Sequence, residues 1–195
     1  SRTGNFNDPL PEVAKWSLLA SLCESISSLH ELGLSHGDIS STNVYVRWPE
    51  SDDPKAYVID AFNGLSSNGK NVSGQRLRAS RMFTDAYCPY SVRDALYTEA
   101  SDVYALAYWV THLTLGRTLL PRSSFANLKD TTGMKQAFWW RDVYVRRTLQ
   151  QKGRDLPAWL YDVLCAAIFE KPERRPSSRE LTYAVHDHWL NLRIG

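Results

Sequence analysis

The stretch 101–115, SDVYALAYWVTHLTL, constrains this chain more than any other. It is apolar almost all the way round and ends at Gly116. A helix with no polar face is stable in water only when other elements cover it on every side. The rest of the chain must therefore supply covering helices, and the spacing predicts them. Asp8, Pro9 and Pro11 mark a helix start. Val13, Trp16, Leu19, Leu22, Cys23, Ile26 and Leu29 then recur at helical spacing until Gly33 stops the run. Residues 134–150 carry a weaker helical phase through Phe138, Trp139, Val145 and Leu149. A further helix over 157–169 opens at Pro157 and offers Leu160, Val163, Leu164, Ala167 and Ile168 to a core. The last helix opens on Ser177-Ser178-Arg179-Glu180, the pattern of a capping box, and carries Leu181, Ala184, Val185, His188, Trp189 and Leu192.

Against this mainly α background two short runs read as strands, 44–48 (VYVRW) and 56–59 (AYVI). The polar, two-proline segment 49–55 between them makes a small β-hairpin the expectation. Residues 63–86 are rich in Gly, Ser and Asn without periodicity and read as one long loop, a feature that in compact domains is usually functional or disordered. Its basic cluster, Lys70, Arg76, Arg78 and Arg81, has no interleaved aromatic platform, so a solvated loop is expected, with substrate docking as the alternative, and nucleic-acid binding is not. A chain of 195 residues, 43% apolar and carrying a formal charge of +2, has the size of one domain and no global charge to recruit nucleic acid or a membrane surface. Cys23, Cys88 and Cys165 are odd in number and far apart, which fits neither a disulfide framework nor a zinc site. With no apolar run near the roughly 20 residues of a membrane helix and no signal-peptide pattern at residues 1–9, a reducing, cytoplasmic setting is expected.

The chemistry concentrates in His36-Gly37-Asp38-Ile39-Ser40-Ser41-Thr42-Asn43, after the first helix and before the first strand. Asp60 follows the second strand of the hairpin. Asp38 and Asn43 share a loop, and Asp60 leaves the neighbouring strand at the same end, so three oxygen-bearing side chains can face one point. Mg²⁺ takes oxygen ligands, usually one or two carboxylates with substrate phosphates. A further carboxylate nearby can take a proton from an attacking hydroxyl. His36 reads as a packed core histidine.

HGDISSTN resembles the catalytic loop H-R-D-x-x-x-x-N of the protein kinase family, and Asp60-Ala61-Phe62 stands where that family has D-F-G. Three further segments agree in order and approximate spacing. Thr84 to Pro89 looks like the end of an activation segment, making 63–90 activation-segment-like. Ser101 to Ala107 looks like the buried central helix. Leu156 to Leu181, with Pro172-Glu173-Arg174-Arg175-Pro176, looks like the closing helices and their arginine-bearing turn. The resemblance covers residues 1–195 as a protein-kinase-like C-terminal lobe. It implies Asp38 as catalytic base and Asn43 and Asp60 as ligands of Mg²⁺, with ATP as phosphate donor and a protein as substrate. It also implies structural roles for Asp102, bonding the catalytic-loop backbone from beneath, and for Arg175.

The departures matter as much. No Gly-rich loop, V-A-I-K lysine or partner glutamate precedes the first helix, so a piece of a longer kinase is expected, with a natural half-kinase as the other origin. Either needs something to complete the nucleotide site, and the isolated chain is expected to be inactive. Gly37 replaces the catalytic-loop Arg and Ser40 a frequent Lys. Ala61-Phe62 inverts the usual Phe-Gly, and Tyr90 replaces the A-P-E glutamate, leaving Asp94, Glu99 or nothing local to pair with Arg175. These changes keep two other readings open. One is a pseudokinase acting as a protein-interaction module, with self-association through the exposed lobe face. The other is a small-molecule kinase, suggested by His36-Gly37-Asp38.

Overall fold

The computed structural model describes residues 10–37, 39, 43–48, 53–59, 65–66, 98–115, 143, 146–147, 149–151 and 153–195. Among them run four long helices, α1 (Glu12–Glu31), α2 (Glu99–Leu115), α3 (Ala158–Phe169) and α4 (Ser178–Ile194). Short 3-10 turns at Gly153–Asp155 and Pro172–Arg174 precede α3 and α4. The strands are β1 (Leu34–Ser35), β2 (Val44–Arg47), β3 (Lys55–Val58) and β4 (Leu65–Ser66). The fold is mainly α with a small antiparallel hairpin, as expected.

Helix α2 is the centre. Every residue from Ser101 to Tyr108 is buried, and so are Val110 and Thr111. Burial on this scale is why the run carries no polar stripe. Thr111, buried within it, donates its hydroxyl to the Ala107 carbonyl at 2.8 Å. Around α2, one continuous core joins Trp16, Leu19, Leu22 and Ile26 of α1, Leu160 and Leu164 of α3, and Leu181 and Val185 of α4.

Helix α1 begins after Pro11, whose φ of −51° and ψ of 142° are extended. Gly33 ends it at a φ of +70°, left-handed backbone that glycine adopts without strain. Helices α1 and α4 pack side by side, with the Trp16 ring edge-on to His188 at 4.3 Å between centroids. The indole N–H of Trp16 is satisfied by Glu12 at 2.7 Å. Burial pushes the Glu12 carboxyl up, but the hydrogen bonds from Lys15 and Trp16 outweigh it and hold the group below its ordinary value.

The hairpin pairs β2 and β3 antiparallel, with Val44 opposite Val58, Tyr45 opposite Tyr57, Val46 opposite Ala56 and Arg47 opposite Lys55. Two serines of α1 fix it in place. Ser17 donates to the Pro54 carbonyl at 2.9 Å, and the Ala56 N–H donates to Ser21 Oγ at 2.8 Å. Four residues apart, they lie on one helix face, and their small size lets backbone approach. Ala56 is buried beneath them, while Tyr45 and Tyr57 stand exposed on the other face.

The structure differs from the sequence reading in two places. Leu65–Ser66, inside the stretch read as a long loop, pairs antiparallel with Leu34–Ser35, a second two-stranded ladder beside the expected hairpin. A two-residue strand is too short for any alternation to be visible. The hairpin strands end one residue earlier than read, at Arg47 and Val58. Of the helix expected over 134–150, positions 143, 146–147 and 149–151 are helical and Leu149 is buried, while Phe138, Trp139 and Val145 lie outside the described residues. Most of the activation-segment-like stretch 63–90 also lies outside them.

The expected capping box is present at α4. The Glu180 N–H donates to Ser177 Oγ at 3.2 Å and the Ser177 N–H to the Glu180 carboxylate at 2.7 Å. These bonds hold the Glu180 carboxyl below its ordinary value of 4.5. A depressed carboxyl pKa stabilises the fold above the unfolded value, and that contribution disappears as pH falls through the folded value. Ser177→Ala is expected to cost about 1 kcal/mol at neutral pH, with the difference from wild type shrinking below pH 4.5, measured by denaturant unfolding across pH. In the core, Leu106 is fully buried, and Leu106→Ala is expected to cost about 2–5 kcal/mol in the same measurement.

Candidate active site

The chain leaves α1 through Gly33, passes along β1 and reaches His36. Here the backbone enters the reach of Asp102 in the first turn of α2. The His36 N–H donates to Asp102 Oδ2 at 2.7 Å and the Gly37 N–H to Oδ1 at 3.1 Å. Asp102 is fully buried. A buried carboxylate without partners is prohibitively costly, so its donors are not optional. A third donor is His30, in the last turn of α1, with Nε2 at 3.0 Å from Oδ2. The helix start adds its positive end to the same carboxylate. Asp102 therefore bonds the His36–Gly37 backbone from beneath, the structural role that the resemblance implied.

Gly37 has a φ of +89°. This is backbone that side-chain-bearing residues rarely adopt. The departure at position 37 thus matches what the two amides require when both aim at one carboxylate. Ile39 is buried in the core, so Asp38 is flanked by one neighbour held by Asp102 and another held by packing.

The other half of the site is set by the hairpin. The Ile59 N–H donates to the Asn43 carbonyl at 2.8 Å, extending the β2–β3 ladder by one step. His36 is fully buried, as expected, and its Nε2 lies 3.0 Å from the Ile59 carbonyl. Hydrogen bonds therefore join His36, Asn43 and Ile59 directly, and Gly37 joins them through Asp102. These are Asn43 itself and the chain neighbours of Asp38 and Asp60. Asp38 and Asp60, with Ser40, Ala61 and Phe62, lie outside the described residues, so of the three predicted site residues the structure describes Asn43 alone. Among the described residues no group of three or more His, Cys, Asp or Glu forms a metal cluster.

Reasoning from sequence did not single out His30 or Ser178. His30 Nδ1 lies 2.8 Å from Ser178 Oγ, across 148 residues of chain. Asp102, His30 and Ser178 thus have the connectivity of a Ser-His-Asp relay. Their burial rules out a nucleophile: the His30 and Asp102 side chains are 6% and 0% exposed and Ser178 is 4% exposed, so no substrate reaches the hydroxyl. The arrangement is scaffolding. Arg175, two residues before the Ser177 cap, completes it by donating from Nη1 to the Ala100 carbonyl at 2.9 Å and from Nε to the Glu170 carbonyl at 3.1 Å. Its guanidinium also sits 5.3 Å from the Tyr104 ring centroid. Tyr90 and Asp94, considered in connection with Arg175, lie outside the described residues.

Among the described residues no reactive thiol contributes. Burial pushes the Cys23 thiol up to about 12, and burial also raises that of Cys165. Cys88 lies outside the described residues. No described helix is long and apolar enough to cross a membrane.

No protein-family model matches the sequence. Three curated proteins are similar to it over most of its length. An inactive leucine-rich repeat receptor-like serine/threonine-protein kinase of Arabidopsis thaliana is 28% identical over 96% of the chain. A probable LIM domain-containing serine/threonine-protein kinase of Dictyostelium discoideum is 23% identical over 89%. The B1 kinase of Monkeypox virus is 24% identical over 92%. The chain is similar to protein kinases. It spans 28%, 24% and 60% of the length of these three relatives, respectively. The kinase resemblance read from five sequence segments thus recurs in whole-chain comparison, and the Arabidopsis relative adds a kinase-like protein whose name says that it is inactive.

The hub makes a firm prediction. Asp102→Ala strands the amides of His36 and Gly37 and the Nε2 of His30, and is expected to destabilise the fold by about 1–3 kcal/mol for each stranded donor. Urea unfolding of the variant beside wild type measures it.

Proposed function

We propose that this chain is the C-terminal lobe of a protein kinase and that, completed by an N-terminal lobe, it transfers the γ-phosphate of ATP to a serine or threonine hydroxyl of a protein. The observation that carries this reading is the hydrogen-bonded junction of His36, Asn43 and Ile59, with Gly37 tied to Asp102. It supports a convergence of Asp38, Asn43 and Asp60 that spacing alone suggested. Phosphoryl transfer asks little covalent chemistry of the protein and a great deal of positioning. A backbone pinned at residues 36, 37, 39, 43 and 59 is suited to that task.

In this reading Asp38 orients the substrate hydroxyl and accepts its proton. Asn43 and Asp60 offer an amide oxygen and a carboxylate, hard oxygen donors that fit Mg²⁺. When bound, that ion neutralises charge on the phosphates of ATP. The protein substrate and the completing lobe are the partners the reading requires.

One further reading has its own support. The Arabidopsis relative is named inactive, and the hairpin exposes Tyr45, Trp48, Tyr57 and Ile59 to solvent. Apolar surface of this kind suits a protein-interaction module.

The deciding experiment is transfer from labelled ATP with Mg²⁺ by the longest natural protein containing this segment, offered general protein substrates and a panel of small-molecule alcohols. The expected result is phosphate on protein. Asp38→Asn is expected to lower transfer by about 100-fold or more while leaving the unfolding midpoint unchanged. Transfer to small molecules alone identifies a small-molecule kinase. No transfer by folded protein overturns the enzyme reading and favours the interaction module.

A further inference from the structure

We infer that His30 is a positioning residue, and that the capping turn of the last helix sets the catalytic-loop backbone through it. The chain of contacts runs from Ser178 Oγ to His30 Nδ1 at 2.8 Å, from His30 Nε2 to Asp102 Oδ2 at 3.0 Å, and from Asp102 to the amides of His36 and Gly37 at 2.7 and 3.1 Å. The next residue is Asp38.

The chemistry of imidazole gives His30 its place. With a proton on Nε2 it donates to the carboxylate, and Nδ1 then accepts from the Ser178 hydroxyl. The tautomer follows from the two partners: the carboxylate demands a donor, and the serine hydroxyl can serve the remaining nitrogen as donor. Asp102 Oδ2 is shared between His30 and the His36 amide. Without His30, Oδ2 loses the ring N–H that braces it, and the acceptor of both backbone amides is held less firmly. Because the group is fully buried, water does not stand in for the missing donor at small cost.

Ser178 anchors the outer end. It is the first residue of α4, held by the Ser177–Glu180 box just before it. The same turn grips the start of α2 a second time, through Arg175 Nη1 on the Ala100 carbonyl. The turn 175–178 therefore fixes both the helix that carries Asp102 and the imidazole that orients it. A device of this kind acts on geometry at Asp38 without touching substrate.

The activity arm of the test rests on the kinase reading, so a second arm does not depend on it. In the full-length protein, His30→Ala, His30→Gln and Ser178→Ala are compared with wild type. Glutamine can donate to Asp102 and accept from Ser178, as the imidazole does. Amide hydrogen exchange at His36 and Gly37 is expected to quicken by about tenfold in His30→Ala. It is expected to quicken less in Ser178→Ala and to return towards wild type in His30→Gln, with Leu164 in α3 unchanged throughout. In the transfer assay, kcat is expected to fall by about tenfold in His30→Ala, with KM for ATP unchanged and partial rescue by glutamine. The proposal is overturned if a folded His30→Ala protein keeps wild-type exchange at His36 and Gly37. Should that variant not fold, wild-type exchange at those amides in folded Ser178→Ala overturns it equally. Exchange that responds as expected in a protein with no transfer activity supports the positioning role while the kinase reading fails.

Discussion

The carboxylate of Asp102 is the constraint on which the rest of the structure depends. Burial of an apolar helix drives the packing, but it is non-directional. Any arrangement that covered α2 with enough apolar surface would gain about as much. The carboxylate is different, because it tolerates burial only when donors reach it along particular directions. His36 and Gly37 supply two from the strand leaving α1, and His30 supplies a third from α1 itself. Apolar burial decides that these elements collapse together, and one buried charge decides their register.

The hairpin is governed by a weaker version of the same logic. Its inner edge meets α1 at Ser17 and Ser21, where hydroxyls serve backbone groups that would otherwise be orphaned. Its far end is tied to His36 through Ile59. The hairpin thus has two fixed points, one on the helix that precedes the loop and one on the loop. Asn43 and Ile59 are positioned by elements whose packing has nothing to do with phosphate chemistry.

The helices were legible because their signals are local. The apolar spacing of α1, the stop at Gly33, the all-round apolarity of α2 and the Ser177–Glu180 box each announce themselves within a few residues. The strand at Leu65–Ser66 was not legible, since two residues carry no alternation. The support beneath the loop was legible in part. Position alone makes Asp102 an ordinary first-turn acid, and resemblance to a family gave it a role. His30 lies within the predicted helix, and its link to Ser178 spans 148 residues. Arg175 binds carbonyl oxygens, and a carbonyl has no sequence signature because every residue has one. Gly37 read as a loss of the family's arginine, and the structure gives it a conformational reason as well, a φ of +89°.

The contact between His30 and Ser178 also bears on the order of events during synthesis. A chain emerging from the ribosome presents α1 and the loop before α4. Domains of this size tend to fold as units, and the entropy of closing a long loop must be met before the contact rewards it. The loop can form its bonds to Asp102 once α2 has emerged, 66 residues after His36. It does not gain its outer brace until residue 178 is free. The loop therefore waits for a segment 148 residues beyond His30 to be made before its support is complete.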